Sequence, residues 1–261
     1  MDIKILVASH KKYRFPNDSI YIPVHVGAAY GGSLGITRDD SGDNISAMNP
    51  YYCELTGLYW MWKNVEADYY GLVHYRRYFT VSPVKAHFSK DKLARAVGRE
   101  QLEKLLAGCD IILPRKRHYY IESLYSHYAH THYGEHLDKT LKIIKDICPQ
   151  YEQAFHKVMK QRSGHMFNMM IMGRDKFNAY CEWLFSVLFR LEKEVDYKSY
   201  DPFQARLFGR VSELLLNVWI VHNGYGYRTL PTVSTERMDW RRKITSFIKA
   251  RFGHKKYDRS F

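Results

Sequence analysis

One short group of polar residues in the sequence is suited to binding an anion. His74, Tyr75, Arg76 and Arg77 directly follow residues 69–73, an apolar run typical of a buried strand. A guanidinium is costly to bury unpaired, and its planar set of donors matches the oxygens of a phosphate. Because side chains alternate along a strand, we expect one arginine to face a ligand and the other to bind a carboxylate. A structural arginine–carboxylate network is the alternative.

Two carboxylates are candidates for removing a proton from a substrate. Glu213 lies where a polar loop passes into a strongly apolar run, and Asp201 lies earlier in the same loop. A partly desolvated carboxylate has a raised pKa, which is the property that a general base needs near neutral pH. We therefore rank Glu213 first and Asp201 second. The alternative for Glu213 is a carboxylate that only stabilises a helix N-terminus.

Three further polar residues interrupt apolar surroundings. Glu54 lies among aromatic residues, where it could pair with an arginine of residues 74–77, hold a sugar hydroxyl, or be a satisfied polar residue of a helix. His165 and Asn168 precede the apolar run 169–172, and core packing explains that run more easily than it explains these two side chains. All three are candidate ligand-binding residues.

Residues 115–138 form a histidine-rich segment. Its histidines are His118, His127, His130, His132 and His136. The last two are four residues apart and so share a helix face, but the glutamate of an HExxH zinc motif is missing between them. We therefore predict no metal site here. Histidines that bind hydroxyls or phosphates, or plain surface histidines, are the favoured explanations.

Alternating strand and helix patterns must position these residues. Strands are predicted at 3–8, 20–26, 69–73, 110–113, 168–172 and 226–230, and helices at 49–64, 90–107, 120–133, 137–147, 151–160, 176–195 and 211–222. Pro23 marks its segment as an edge strand or an extended loop. The alternation predicts a single α/β domain of residues 1–235, with a mainly parallel sheet flanked by helices and a helical C-terminal part. Ligands bind such sheets at the carboxyl ends of the strands, so Ser9, His10 and Lys11 are candidates too.

The composition favours a polyanionic partner. The chain has 261 residues, of which 46% are hydrophobic, and a formal net charge of +13. This hydrophobic content argues against disorder, and the charge favours nucleic acid, an acidic membrane surface or a phosphate-bearing substrate. The longest apolar stretch is too short for a membrane helix, and we expect no secretory signal. The four scattered cysteines indicate reduced thiols in a cytoplasmic protein.

Residues 236–261 are predicted to be a basic amphipathic helix and a tail. Apolar residues that can share one face of this helix are Trp240, Ile244, Phe247, Ile248 and Phe252. Basic residues surround them, which is typical of a helix that lies on an anionic bilayer through residues 240–256. A helix that docks on its own domain is the alternative.

Five segments together resemble a known family. They are LVASHKKY, NPYYCELTGLYWMWKN, YYGLVHYRRYF, FNMMIMGRDKFNAYCEWLF and RLFGRVSELLLNVWI. They are similar to bacterial capsular and exopolysaccharide biosynthesis glycosyltransferases, a family long catalogued as a domain of unknown function. The resemblance covers residues 3–220 and is most specific at HYRR and ELTGLYWMWKN. It implies a GT-A-like, Rossmann-like fold and the transfer of a hexose from a nucleotide-diphosphate sugar to a lipid-linked oligosaccharide in capsule, exopolysaccharide or O-antigen synthesis.

The resemblance also implies how the donor is activated. Most GT-A enzymes hold a divalent metal on a DxD motif after the strand that corresponds to residues 69–73, and HYRR stands at that place here. Arg76, assisted by Arg77 or His74, would then neutralise the donor diphosphate, with little or no metal dependence and no other cofactor. The donor sugar would be galactose or galactofuranose, carried on UDP.

We add hypotheses for the remaining roles and partners. The nucleobase would lie near residues 8–11, and His165 and Asn168 would orient the sugar. The partners would be the nucleotide sugar, the lipid-linked acceptor and an anionic membrane surface, but not nucleic acid. The protein would be cytoplasmic and peripheral at the inner face of the plasma membrane.

Two functions of other classes stay open. A nucleic-acid-binding protein would explain the positive charge and the 22 tyrosines, but not an arginine pair at the end of a buried strand. A metal-dependent hydrolase built on the histidine-rich segment is the other alternative, and it would be recognised by stoichiometric bound metal.

Overall fold

The structure is a computed structural model that describes residues 1–236. Its strands are β1 (Ile3–Ser9), β2 (Tyr21–His25), β3 (Thr37–Arg38), β4 (Tyr69–His74), β5 (Arg77–Phe79), β6 (Ile111–Pro114), β7 (Arg117–His118), β8 (Ser163–Gly164), β9 (Met170–Gly173), β10 (Arg228–Leu230) and β11 (Thr232–Ser234). Its helices are α1 (Asn49–Tyr52), α2 (Leu55–Asn64), α3 (Pro83–Phe88), α4 (Arg99–Leu106), α5 (Leu124–Thr131), α6 (Glu135–Ile147), α7 (Glu152–Lys160), α8 (Arg174–Glu194) and α9 (Leu207–Asn223). The predicted helix at 240–256 lies outside the described residues.

The central sheet has the strand order β10-β6-β9-β4-β1-β2-β3. Strand β1 pairs in parallel with both β2 and β4, and β2 pairs in parallel with β3. The predicted α/β class with a mainly parallel sheet is confirmed, and β9 is inserted antiparallel between β4 and β6. The β11 strand pairs with β5, which folds back on β4.

The position of β2 differs from the predicted edge. It lies between β1 and β3, and Pro23 is opposite Val7 of β1. The pairing with β3 begins only at Val24, so no ladder hydrogen bond is needed from the proline nitrogen on that side. The proline is therefore accommodated because β3 is short.

The predicted helix 49–64 is divided in two at Cys53. This residue has φ 55° and ψ −131°, and its backbone separates α1 from α2. Asn49 donates to the Cys53 carbonyl with a distance of 2.8 Å. A Cβ atom on Gly209 of α9 would lie 3.2 Å from both Cβ and Sγ of Cys53, so α9 packs closely at the break. The break turns Glu54 toward the end of β4.

Two other helix predictions were too long. Residues 90–107 contain a 3₁₀ turn, Leu93–Arg95, and then α4. Residues 120–133 contain only α5, preceded by Tyr120 with φ 55°. No helix within residues 1–236 is long and apolar enough to cross a membrane. All four cysteines are free thiols, as predicted.

Candidate active site

The HYRR residues form the turn of a β-hairpin. Strand β4 ends at His74, which pairs with Arg77 at the start of β5, so Tyr75 and Arg76 make the turn. The two guanidinium groups have different neighbours, as expected. The turn places them there, rather than the alternation of side chains along a straight strand. Arg76 Nη1 lies 3.3 Å from a Glu236 oxygen, and the Arg77 guanidinium lies 3.8 Å from the centre of the Phe167 ring.

The end of β1 meets this hairpin. Lys11 Nζ lies 3.5 Å from Glu236 Oε1 and 5.0 Å from the centre of the Tyr75 ring. The His10 ring packs edge-on against the same tyrosine at 5.3 Å. Ser9 is buried, and its hydroxyl donates to the Lys11 carbonyl at 2.7 Å. The structure thus brings the residues predicted at the ends of β1 and β4 into one group.

Burial and cationic neighbours together keep His10 uncharged. Partial burial lowers its pKa, and the positive charges of Lys11, Arg206 and Arg76 lower it further. His10 is therefore neutral at pH 7 and is surrounded by positive charge.

Glu54 is the centre of a second group, formed by three elements. Asn168 donates to Glu54 Oε1 at 2.7 Å and to the Gly209 carbonyl at 2.8 Å. His74 Nε2 lies 3.9 Å from the same Glu54 oxygen and donates to the Phe167 carbonyl at 2.8 Å. The structure therefore joins three predicted ligand-binding residues, Glu54, His74 and Asn168.

The backbone beneath this group is strained. Phe167 has φ 76° and Asn168 has φ 52°, a left-handed conformation that costs free energy for residues other than glycine. Ser212 donates to Asn168 Oδ1 at 2.8 Å and helps to hold it. Strain of this kind is frequent where a loop presents groups to a ligand.

Glu213 has the protonation behaviour expected of a general base. Burial raises the pKa of its carboxyl to about 7, and the negative charge of Glu54 contributes to the rise. A hydrogen bond with the Phe167 backbone, and then the charges of Arg117 and Arg77, act in the opposite direction. The carboxyl therefore exchanges a proton near neutral pH, beside the group of Glu54.

Arginines at the start of α9 were not among the predicted site residues. Arg206 Nε donates to Cys53 Sγ at 3.1 Å, and Arg210 Nη1 lies 3.0 Å from His132 Nδ1. Within residues 1–236, no carboxylate lies within 4.0 Å of Arg77, Arg206 or Arg210 in an ion pair. Cations at a helix N-terminus are disfavoured by the helix dipole. That placement in the sequence could have identified them as candidate anion-binding residues.

Asp201 makes its hydrogen bonds within its own loop. Its carboxylate is exposed and accepts from the backbone N–H groups of Phe203 and Gln204, at 2.9 and 3.1 Å. Asp201 shapes the turn before α9 and so presents Arg206.

His165 lies in a different environment from Asn168. Its Nδ1 donates to the Pro114 carbonyl at 2.6 Å, and its ring packs at 5.0 Å against Tyr227. Burial lowers the pKa of His165 to about 4, so the ring is neutral. Its Nε2 atom is buried with no hydrogen-bond partner among the described residues and is free to accept a hydrogen bond.

The histidine-rich segment is held together by hydrogen bonds. His127 and His130 both contact the buried Glu122 at 2.7 Å. Burial, followed by the charge of Arg210, lowers the pKa of His132 to about 2. Within residues 1–236, no group of three or more His, Cys, Asp or Glu side chains is arranged to hold a metal ion.

Comparisons with known proteins assign the chain to a family. Residues 4–224 match the model of a domain of unknown function, DUF4422. The chain is a member of the DUF4422 family. An apo structure of the bifunctional glycosyltransferase WbbM is similar to this DUF4422 chain, with a TM-score of 0.84 and 32% sequence identity. No curated protein matches significantly.

The similarity to WbbM covers nearly all of this chain but less than half of the WbbM chain. It covers 91% of this DUF4422 chain and 46% of the WbbM chain, so this chain spans about half the length of that solved relative. The α/β fold described above is therefore shared with one part of a two-activity glycosyltransferase.

Proposed function

We propose that the protein is a glycosyltransferase of bacterial surface-polysaccharide synthesis. It transfers a hexose, galactose or galactofuranose, from a UDP-linked donor to a lipid-linked acceptor at the cytoplasmic face of the membrane. The similarity to WbbM supports glycosyl transfer. The observation that carries the proposal is a group of cations beside Glu54 and Glu213: Arg77 of the hairpin, and Arg206 and Arg210 at the start of α9, have no carboxylate ion-pair partner among the described residues.

The donor diphosphate would bind to fixed guanidinium charge. Arg77 and Arg206 have no ion-pair partner among the described residues, so either can donate hydrogen bonds to phosphate oxygens without losing a carboxylate. Arg76 and Lys11 can join them once they release Glu236. Positive charge at the leaving diphosphate stabilises the transition state in which its bond to the sugar breaks. In other enzymes, a bound metal ion supplies this positive charge.

The nucleoside would lie at the end of β1. His10 and Tyr75 form an edge-to-face aromatic pair there, and Ser9 and Lys11 supply polar atoms beside it. Glu54 and Asn168, which are hydrogen-bonded to each other, would orient sugar hydroxyls. We keep His165 as a sugar-binding candidate through its unpartnered Nε2.

Glu213 would act as the general base if the reaction inverts the anomeric centre. The acceptor hydroxyl oxygen forms a bond to the anomeric carbon, the bond from that carbon to the donor phosphate oxygen breaks, and the hydroxyl proton moves to Glu213. The UDP leaves as an anion that the arginines hold. Asp201 is the second candidate for the base, although its carboxylate caps a turn here.

A thermal-shift screen tests this proposal. Nucleoside diphosphates and nucleotide sugars are added with and without chelator, and we expect UDP and a UDP-hexose to raise the melting temperature equally in both conditions. Transfer to a lipid-linked acceptor is then measured with the stabilising donor. A shift that chelator abolishes would contradict the metal-free donor site, and a protein that no nucleotide stabilises would contradict donor binding altogether.

A further inference from the structure

The segment around α3 exposes large apolar side chains. Val84 is 69% exposed and Phe88 is 80% exposed, and because they are four residues apart they lie on one face of the helix. Val81, just before the helix, is 40% exposed, whereas Ala86 on the opposite face is buried. No other part of residues 1–236 covers the exposed face. Such adjacent apolar exposure marks a contact surface.

Positive charge surrounds this face. Residues 81–95 carry Lys85, Lys90, Lys92 and Arg95 but only one acidic residue, Asp91. Asp91 is already paired with Arg14. The patch therefore has apolar side chains at its centre and an excess of cations at its rim, which complements an anionic lipid surface in both respects.

A groove lies between the patch and residues 232–236. It has a volume of about 1280 Å³, and its walls include α3, residues 89–93 and residues 232–236. Glu236, on one of these walls, contacts both Lys11 and Arg76. This wall of the groove is therefore adjacent to the proposed donor site.

We propose that α3 and residues 89–95 form a membrane-docking surface that binds an anionic lipid bilayer. The side chains of Val84 and Phe88 enter the headgroup region, and the lysines and Arg95 contact lipid phosphates. Its residues differ from the residues 240–256 that the sequence predicts to bind a membrane. It extends the proposed function, because it would hold the enzyme where a lipid-linked acceptor resides.

Vesicle co-sedimentation of the full chain tests the surface. Vesicles of phosphatidylcholine, with or without phosphatidylglycerol, are compared for the wild type, Val84→Ser/Phe88→Ser and Lys85→Glu/Lys90→Glu. We expect the apolar double variant to lower the partition coefficient about tenfold. We expect the charge variant to lower it more than tenfold on phosphatidylglycerol vesicles only.

Matched variants on α6 are the controls. Ile147→Ser removes another exposed apolar side chain and Lys142→Glu reverses another exposed charge, and neither should change the partition by more than about twofold. Wild-type protein without a preference for phosphatidylglycerol would overturn the proposal. So would α3 variants that bind like the wild type.

Two further readouts separate this proposal from others. Light scattering that shows a wild-type dimer converted to monomer by Phe88→Ser would mean that a second copy covers α3, and would overturn membrane docking. Turnover of a soluble acceptor analogue should be unchanged in the α3 variants. If the wild type transfers no sugar at all, the proposed function fails, while the vesicle result still decides the docking surface.

Discussion

Different environments give the carboxylates of Glu213 and Asp201 different properties. The Glu213 carboxyl is half-buried beside Glu54, and burial raises its pKa to about 7. Asp201, twelve positions earlier, is exposed and accepts a backbone hydrogen bond within its own loop. The two carboxylates look similar in the sequence but differ in role, because Asp201 already accepts hydrogen bonds from backbone N–H groups.

The first prediction concerns the base. Glu213→Gln should lower kcat by about 10² to 10⁴, while the donor dissociation constant stays within about twofold, because the amide cannot take the acceptor proton. The wild-type rate should rise with pH through about 7, as the carboxyl loses its proton. Steady-state rates and calorimetric donor binding measure both. Full turnover by the amide variant would exclude a base at this position, as in a retaining mechanism.

The same group predicts a pH effect on stability. The pKa of Glu213 is about 7 in the folded protein and about 4.3 in an unfolded chain, so the unfolded state loses its proton first as pH rises. This carboxyl therefore lowers the free energy of unfolding progressively between about pH 4 and 7. We expect the melting temperature of Glu213→Gln, relative to wild type, to increase over that range. A constant difference would show that the folded-state pKa is ordinary.

Arg77 is the residue where the proposed phosphate site is tested most directly. Burial, together with the charge of Arg76, lowers the pKa of its guanidinium, so the protein holds this cation at a cost in free energy. We expect Arg77→Ala to weaken UDP binding tenfold to a hundredfold and Arg77→Lys to restore part of it.

Arg76→Ala should weaken donor binding as well, but less, because Arg76 already shares Glu236 with Lys11. Arg190→Ala is the matched control, since Arg190 pairs with Asp146 on the surface. Donor binding that survives in both Arg76→Ala and Arg77→Ala would contradict the phosphate role of the hairpin. Isothermal titration calorimetry with UDP makes the comparison.

At the scale of elements, glycines allow helices to approach the sheet. A Cβ atom on Gly57 of α2 would lie 2.7 Å from Val26 Cγ1 and 3.2 Å from Leu6 Cδ2. We expect Gly57→Ala to lower the free energy of unfolding by about 1–3 kcal/mol through overpacking. Chemical denaturation measures this. Gly226→Ala is the control, because nothing lies within 4 Å of its added methyl group, and an equal loss in both variants would contradict the packing argument.

The elements that the sequence pattern predicts best are those with a long, regular apolar face. The prediction of a helix at 176–195 is confirmed by α8, and β1 and β4 lie at their predicted positions. The break at Cys53, the antiparallel β9 and the hairpin at residues 74–77 were not predicted, because contacts with distant parts of the chain produce them. Local periodicity carries no information about such contacts.

The candidate site was predictable to a similar degree. Ser9, His10, Lys11 and the HYRR residues were predicted because they follow predicted strands, and the structure brings them together. Glu54 was predicted because it is an isolated acidic residue in an apolar helix. Arg206 was missed as a site residue because its proximity to Cys53 depends on how α9 packs. Recognition of two arginines one turn apart at a helix start would have indicated it.

At the scale of the whole molecule, the formal charge of +13 allows two explanations. A nucleic-acid-binding protein should lose affinity steeply as salt increases. We expect instead that UDP-sugar binding persists in physiological salt and that random single-stranded DNA does not compete with it. Fluorescence anisotropy with labelled DNA, with and without UDP, measures this. Competition by DNA at equal phosphate concentration would favour the nucleic-acid alternative.

Glu236 already neutralises Lys11 and Arg76 from within the chain. Under the proposed donor placement, an arriving diphosphate replaces this internal counter-ion, and the carboxylate can return when the reaction is over. Binding would thus be an exchange of one anion for another, which limits how tightly the spent nucleotide is retained. Such a built-in competitor would favour rapid turnover at the expense of affinity.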